Sequence, residues 1–417
     1  MMQYGCIGEK LSHSFSVEIH RLLGQYPYVL KELAEDDVGA FLKTRDFLGI
    51  NVTIPYKRTV LPYLDEIDAD AVRIGAVNTV VNRGGKLYGY NTDAFGMTQA
   101  LAFAGIDLCG KNAAILGTGG TSKTACRVAE ALGAARVVRV SRAPREAGVI
   151  SYGELYRTRD AWQILLNTTP VGMYPNDGPM PVDPADYPAL CGVFDAVYHP
   201  LRTSFVLSAR ALGIPACGGL YMLVAQAARA ASLFFGDDSM QTRRRIDGVY
   251  HAMVGAKENI VLIGMPGCGK TSVGRVLAND LGRPFFDADA VLEARVGTSI
   301  PTYFENHTEA EFRALETAVL RDLCKETGAV LATGGGAVTV PENVDLLRRN
   351  GKIVFLDRPL DALEGTAGRP LTPDRTALAQ KYTERLPLYR AAADRTVSVT
   401  GDVNAAAAAL QQLLSAR

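Results

Sequence analysis

Ile260-Val261-Leu262-Ile263 runs directly into Gly264-Met265-Pro266-Gly267-Cys268-Gly269-Lys270-Thr271, and residues 272–281 follow with the apolar spacing of a helix. The second stretch satisfies Gly-x-x-x-x-Gly-Lys-Thr in the context that motif needs, a buried strand before it and a helix after it. Its glycines let the backbone curl round a phosphate, so that successive N–H groups and the helix N-terminus face the anion. Lys270 then reaches the β- and γ-phosphates, and Thr271 offers a hydroxyl to Mg²⁺. Gly264, Gly267, Gly269, Lys270 and Thr271 are therefore the expected ATP-binding residues of an α/β domain built on a parallel sheet.

Toward the C-terminus, residues 284–286 read as a second strand that ends at Asp287-Ala288-Asp289. Strand alternation places both carboxylates on one side, one for magnesium and the other for an acceptor hydroxyl. Phe312-Arg313-Ala314-Leu315-Glu316, Gly334-Gly335-Gly336, Gly368-Arg369-Pro370-Leu371 and Arg385-Leu386-Pro387-Leu388-Tyr389 follow in that order. The ordered set resembles the shikimate kinase family across residues 259–417. That resemblance implies that Asp287 stands on the magnesium side and that Asp289, Arg313, Gly334, Gly335, Gly336 and Arg385 bind shikimate. It puts Arg313 and Arg385 on the carboxylate, a planar group that suits a guanidinium fork. It also makes Arg369 a lid residue that stabilises charge on the transferring phosphoryl group. Residues 362–368 are short for such a lid and carry Glu364 as their one charged residue, which implies a looser nucleotide clamp.

Toward the N-terminus, Ala113-Ala114-Ile115-Leu116 enters a second glycine-rich turn, Gly117-Thr118-Gly119-Gly120-Thr121-Ser122, and a helical pattern follows. The turn is a variant of Gly-x-Gly-x-x-Gly, which makes Gly117, Gly119, Gly120 and Thr121 candidates for a dinucleotide pyrophosphate. After the next strand, where an acid would hold the ribose of NAD, stand Ser141 and Arg142, with Arg145 close by. These are donors for a 2′-phosphate, and they predict NADP(H).

Four further motifs precede this turn: Ser12-His13-Ser14-Phe15-Ser16, Gly49-Ile50-Asn51-Val52-Thr53-Ile54-Pro55-Tyr56-Lys57, Gly75-Ala76-Val77-Asn78-Thr79 and Asn91-Thr92-Asp93. Asn167-Thr168-Thr169, Gly172-Met173, Asp195-Ala196-Val197-Tyr198 and Gly219-Leu220-Tyr221-Met222-Leu223-Val224-Ala225-Gln226 follow it. Together they resemble the shikimate dehydrogenase family over residues 3–250. Reduction of a ketone needs a hydride donor, a proton source and groups that fix the substrate. Lys57 and Asp93 suit the proton work, because a lysine paired with a carboxylate forms a charge-assisted couple over a reacting oxygen. The resemblance gives them that catalytic place. It implies Ser14, Ser16, Asn51, Thr53, Asn78 and Gln226 as substrate contacts, with Tyr198 near the carboxylate, and Asn167, Thr168, Gly219 and Met222 as cofactor contacts. Gly218 stands where the family often has an aspartate, and Ser141 where it often has an asparagine. His13 has no second histidine beside it and reads as structural.

The domains expected are a catalytic lobe of residues 1–97 plus 224–253, a Rossmann-type NADP domain of residues 98–223, a linker at 254–258 and the kinase domain at 259–417. Across 417 residues, 44 Lys and Arg balance 44 Asp and Glu. Residues 1–258 hold 26 against 25 and the remainder 18 against 19, so neither half shows the basic excess of a nucleic-acid binder. Residues 221–235, the longest apolar stretch, are interrupted by Gln226, Arg229 and Ser232, so no membrane span is expected. Seven scattered cysteines without a Cys-x-x-Cys pair point to reduced thiols and the cytoplasm. The two resemblances meet on one metabolite: 3-dehydroshikimate is reduced to shikimate, which ATP then phosphorylates on its 3-hydroxyl. The rivals are a quinate or mixed quinate/shikimate dehydrogenase fused to the kinase, and a half that binds ligand without turnover. An NAD preference and an acid at position 142 would favour the first rival, while the presence of Lys57, Asp93, Lys270 and Asp289 opposes the second.

Overall fold

The computed structural model describes residues 2–11, 14–176, 178–363, 375–399 and 402–415. The chain divides into two compact units, Met1–Met253 and Val254–Arg417. Residues 254–257, set aside above as most of a linker, are helical. They form the last turn of helix Arg243–Lys257, which no proline interrupts.

The first unit holds two sheets. β1 (Tyr4–Gly8), β2 (Tyr28–Glu32), β3 (Gly49–Val52), β4 (Glu66–Ile67), β5 (Thr79–Arg83) and β6 (Lys86–Tyr90) lie in the order β2-β1-β3-β5-β6-β4. β1 is parallel to β2 and β3, whereas β5 runs antiparallel to β3 and β6. This sheet is thus mixed. The reason is local: Gly84 and Gly85 both take positive φ, 59° and 86°, and close β5 onto β6 as a two-residue hairpin without a crossover helix. Ile7, Ile50, Tyr56 and Val80 belong to the core beneath it.

The second sheet comprises β7 (Asn112–Leu116), β8 (Arg136–Ser141), β9 (Val149–Ser151), β10 (Ile164–Asn167), β11 (Gly192–Asp195) and β12 (Ala216–Cys217), in the order β12-β11-β10-β7-β8-β9. Every pairing in it is parallel. β10 and β11 are buried at each residue, as strands covered on both faces must be. The winding reverses at β7, so the crevice beyond its carboxyl end, between β8 and β10, is the place where such sheets bind ligands. Trp162, the single tryptophan, is fully buried in this core with Phe205 and Val193.

Helices Asp93–Phe103 and Leu220–Phe235 pack against each other so closely that a Cβ on Gly96 would lie 2.6 Å from the Met222 carbonyl oxygen. This contact brings Asp93 and Gln226 to one place.

In the second unit, β13 (Asn259–Ile263), β14 (Phe285–Asp287), β15 (Val330–Ala332), β16 (Gly351–Asp357) and β17 (Arg395–Ser398) form one parallel sheet in the order β14-β15-β13-β16-β17. β13 is buried along its length and delivers the chain into the loop at Gly264. No helix among the described residues is long and apolar enough to cross a membrane.

Candidate active sites

In the first unit, Lys57 Nζ donates to Asp93 Oδ2 at 2.6 Å, with the lysine the more exposed partner at 23% against 12%. Asp93 opens its helix, and its backbone N–H donates to Asn91 Oδ1 at 3.0 Å. Its other carboxylate oxygen accepts from Asn78 Nδ2 at 2.9 Å. Asn78 is itself held, because its Oδ1 accepts from the Thr92 backbone N–H at 2.8 Å. The carboxylate is therefore aimed at Lys57 by a chain of buried amides rather than left to rotate. Thr92 Oγ1 lies 3.2 Å from Gln226 Oε1, which joins the facing helix to the same cluster.

Ser14 and Ser16 form a local pair, with 3.0 Å between their hydroxyls. Tyr198 reaches them through Phe15, the two ring centroids being 5.3 Å apart, and burial raises its phenol pKa. Thr53 is half-buried at the end of β3. Asn51 is differently placed. Its Oδ1 accepts from Tyr28 Oη at 2.7 Å and its Nδ2 donates to Thr79 Oγ1 at 3.1 Å, so the amide is engaged with its own sheet. His20 stacks on Tyr28 at 3.7 Å between ring centroids, and burial lowers its pKa to about 3, so this histidine is neutral. Ser12 and His13 lie outside the described residues.

The cofactor candidates lie at or past the carboxyl ends of β7, β8, β10 and β12. Gly117 takes φ 112°, and a Cβ there would lie 2.9 Å from Thr168 Oγ1, so glycine is required for the close approach. Thr168 Oγ1 donates to the Leu116 carbonyl at 2.7 Å and pins the two strand ends together. Gly119 and Gly120 open helix Gly120–Ala131 with free space where side chains would be, which fits a phosphate pressed against backbone amides; Thr121 is half-buried in its first turn. Arg142 is exposed just past β8, and Ser141 Oγ accepts from the Ala143 N–H at 3.2 Å. Gly219 stacks so tightly on the Ala196 carbonyl that no Cβ fits, and Met222 lies buried one turn into the following helix. Asn167 serves the fold directly: it donates to Asp195 Oδ1 and accepts from Thr169, a network absent from the sequence reading although both residues stand in quoted motifs.

In the second unit, Gly264, Gly267 and Gly269 take φ of 146°, 83° and 99°. Lys270 Nζ donates to the carbonyls of Gly264 and Met265 at 2.9 and 3.1 Å, inside the concavity of the loop. Thr271 Oγ1 donates to Asp287 Oδ2 at 2.6 Å. The hydroxyl–carboxylate pair fits Mg²⁺, which keeps most of its waters and takes few protein ligands.

Asp287 and Asp289 do not share a strand face as alternation predicts. Asp287 caps helix Ala288–Val296, accepting from the N–H groups of Asp289 and Ala290, and Asp289 lies in the first helical turn. Each of the three glycines meets a different group. A Cβ on Gly334 would strike Glu316 Oε1 and lie 2.8 Å from Asp289 Oδ1, one on Gly335 would lie 2.6 Å from the Pro266 ring, and one on Gly336 would strike the Arg313 guanidinium. Arg385 is buried and donates to the Gly335 carbonyl at 3.2 Å.

Glu316 is the residue that the motif reading passed over. It pairs with Arg313 at 2.7 Å and is almost fully buried; burial raises its pKa, against the lowering effect of Arg313. Its signal was present in sequence, since an acid three residues after an arginine shares its helix face. Arg313 Nε and Glu316 Oε1 are buried without a hydrogen-bond partner among the described residues, one a donor and the other an acceptor. Arg369 lies outside the described residues.

Known proteins match both units. A family model described as the shikimate dehydrogenase substrate binding domain matches residues 6–80, and one described as shikimate kinase matches residues 266–415. A shikimate dehydrogenase (NADP(+)) of Clostridium perfringens is 37% identical over 253 residues, a match that spans 57% of this chain and 93% of that protein. The structure of shikimate dehydrogenase 1 from Peptoclostridium difficile superposes with a TM-score of 0.54 at 38% identity, covering 61% of this chain and 98% of that one. A chorismate mutase/shikimate 5-dehydrogenase fusion protein from Clostridium acetobutylicum gives a TM-score of 0.57 at 33% identity, covering 61% of this chain and 97% of that one.

Proposed function

The chain belongs to the shikimate dehydrogenase family and carries a shikimate kinase domain at its C-terminal end, and from this premise we propose that it catalyses two successive steps on one metabolite. The first is NADPH-dependent reduction of 3-dehydroshikimate to shikimate. The second is ATP-dependent phosphorylation of shikimate to shikimate 3-phosphate. The observation that carries the reading is the Lys57–Asp93 couple, 2.6 Å long, in a chain that also holds a complete phosphate loop. When bound, NADPH supplies a hydride and Mg·ATP a phosphoryl group.

Lys57 Nζ, the more exposed end of its couple, gives a proton to the carbonyl oxygen as that oxygen gains charge. Asp93, aimed by Asn78, holds the lysine in place. Ser14, Ser16, Thr53, Asn78 and Gln226 line the substrate position, with Tyr198 toward its carboxylate and Asn51 bracing the sheet behind Asn78 and Thr79. Gly117, Gly119, Gly120 and Thr121 hold the pyrophosphate, and Arg142 takes the 2′-phosphate. In the second unit, Lys270 turns from the loop carbonyls to the phosphates, and Thr271 and Asp287 hold Mg²⁺. Arg313 Nε and Arg385 take the carboxylate of shikimate, while Asp289 and Glu316 accept from its hydroxyls. The seven scattered cysteines, with no disulfide among the described residues, support a reducing compartment such as the cytoplasm.

The test is a single-tube assay of the full chain with 3-dehydroshikimate. NADPH alone should give shikimate, and NADPH with Mg·ATP should give shikimate 3-phosphate with one ADP per NADPH oxidised. Oxidation of NADPH without ADP formation would reduce the claim to the dehydrogenase. Phosphorylation of added shikimate without reduction would reduce it to the kinase.

A further inference from the structure

We infer that Tyr389 is a positioning residue that ties the phosphate loop to the acceptor loop, so that nucleotide and acceptor strengthen each other's binding. The inference rests on the kinase reading above and deepens it.

Tyr389 lies four residues beyond Arg385 on helix Arg375–Ala392, which puts both side chains on one helix face. It is fully buried, and its ring stacks on Phe355 of β16 with 5.1 Å between centroids. The stacking fixes the ring, so its hydroxyl has one reachable neighbourhood. There it donates to the Gly335 carbonyl and lies 3.8 Å from Sδ of Met265, inside the phosphate loop. Arg385 Nη1 donates to the same carbonyl at 3.2 Å. The backbone of Gly335 is pressed on Pro266, the next residue of the phosphate loop.

One peptide unit therefore gathers the phenol, the guanidinium that takes the acceptor carboxylate and the ring of a phosphate-loop proline. Burial pushes the phenol pKa up, so the hydroxyl remains a donor across the neutral range. When phosphates order the loop, Met265 and Pro266 are fixed, and Gly335, Tyr389 and Arg385 are fixed with them. The acceptor then meets a guanidinium whose ordering cost is already met, which is positive coupling between two sites. By linkage the acceptor must tighten the nucleotide by the same factor.

The experiment measures initial rates of ADP formation by the full chain, without NADP, over a grid of shikimate and Mg·ATP concentrations. The quantity read is the shikimate constant extrapolated to zero ATP divided by that at saturating ATP. For the wild type we expect a ratio of about fivefold or more, the lower end of ordinary coupling between sites. Tyr389→Phe, which removes only the hydroxyl, and Pro266→Ala, which removes the ring from Gly335, should each bring the ratio to within about twofold of one. A tyrosine that merely filled space would lower stability and leave the ratio where it was. A wild-type ratio near one, or an undiminished ratio in both variants, overturns the inference. If Tyr389→Phe does not fold, Pro266→Ala decides alone. A wild type that forms no shikimate-dependent ADP refutes the kinase reading instead, so the two failures are distinguishable.

Discussion

Asn167 and Asp195 are register partners at the ends of β10 and β11, and the Asn167 amide donates to the Asp195 carboxylate across 2.9 Å. The same carboxylate accepts from the Val197 N–H at 3.0 Å and from Thr203 Oγ1 at 2.6 Å. One buried acid thus holds the floor of the cofactor crevice and the segment that leads to Tyr198.

Burial raises the pKa of Asp195 from 3.8 to about 6, while its three donors oppose the shift. Between these values the folded chain keeps a proton that the unfolded chain has lost. The stabilisation from this group is complete below about pH 4 and is lost as pH rises through about 6, with a slope of up to about 1.4 kcal/mol per pH unit. Denaturant unfolding followed by Trp162 emission reports on this lobe, because the only tryptophan lies in its core. The difference between wild type and Asp195→Asn should carry that slope between pH 4 and 6; parallel curves would rule it out.

Lys57→Met and Asp93→Asn should each lower dehydrogenase kcat by about 10² to 10⁴, the range for a positioned proton-transfer group. Phosphorylation of added shikimate by the same preparations should be unchanged. A loss below about tenfold in both would remove the pair from the chemistry.

Arg142→Asp should turn cofactor choice toward NAD, since it replaces the donor proposed for the 2′-phosphate with a like charge. A hydrogen bond to a charged group contributes about 1.5–3 kcal/mol, so the ratio of kcat/KM for NADP over NAD should fall by at least about tenfold. A wild type that already prefers NAD would contradict the assignment of the β8 end.

Lys270→Ala should abolish shikimate-dependent ADP formation and leave NADPH oxidation intact, because positioning and charge neutralisation supply nearly all catalysis in phosphoryl transfer. Asp289→Asn should do the same through the acceptor hydroxyl. Ordinary kinase rates in Lys270→Ala would show that phosphates bind elsewhere.

Both glycine-rich turns proposed to hold nucleotide were legible in sequence because each is a local event that directly follows a buried strand. Lys57 and Asp93 were legible as types, but their 2.6 Å contact joins the turn after β3 to the start of a helix 36 positions on, which no spacing rule reports. Asn51 illustrates the opposite case. Its motif is plain, yet its hydrogen bonds go to Tyr28 and Thr79, partners set by sheet register. The hairpin at Gly84-Gly85 makes the first sheet mixed, and the capping of a helix by Asp287 takes Asp289 off the strand. In both places a turn overrode the period assumed on either side.

Gly334, Gly335 and Gly336 each stand where a single methyl group would meet an acid pair, a proline of the phosphate loop and a guanidinium in turn. In a saturation library selected for growth on kinase activity, these three neighbouring positions should therefore reject every substitution, and for three separable reasons. Variants at Gly334 should be rescued in part by shortening Glu316 to Asp, and variants at Gly336 by shortening Arg313 to Lys, whereas those at Gly335 should respond only to changes at Pro266. A tripeptide that reads as monotonous in sequence would then behave as three distinct genetic loci.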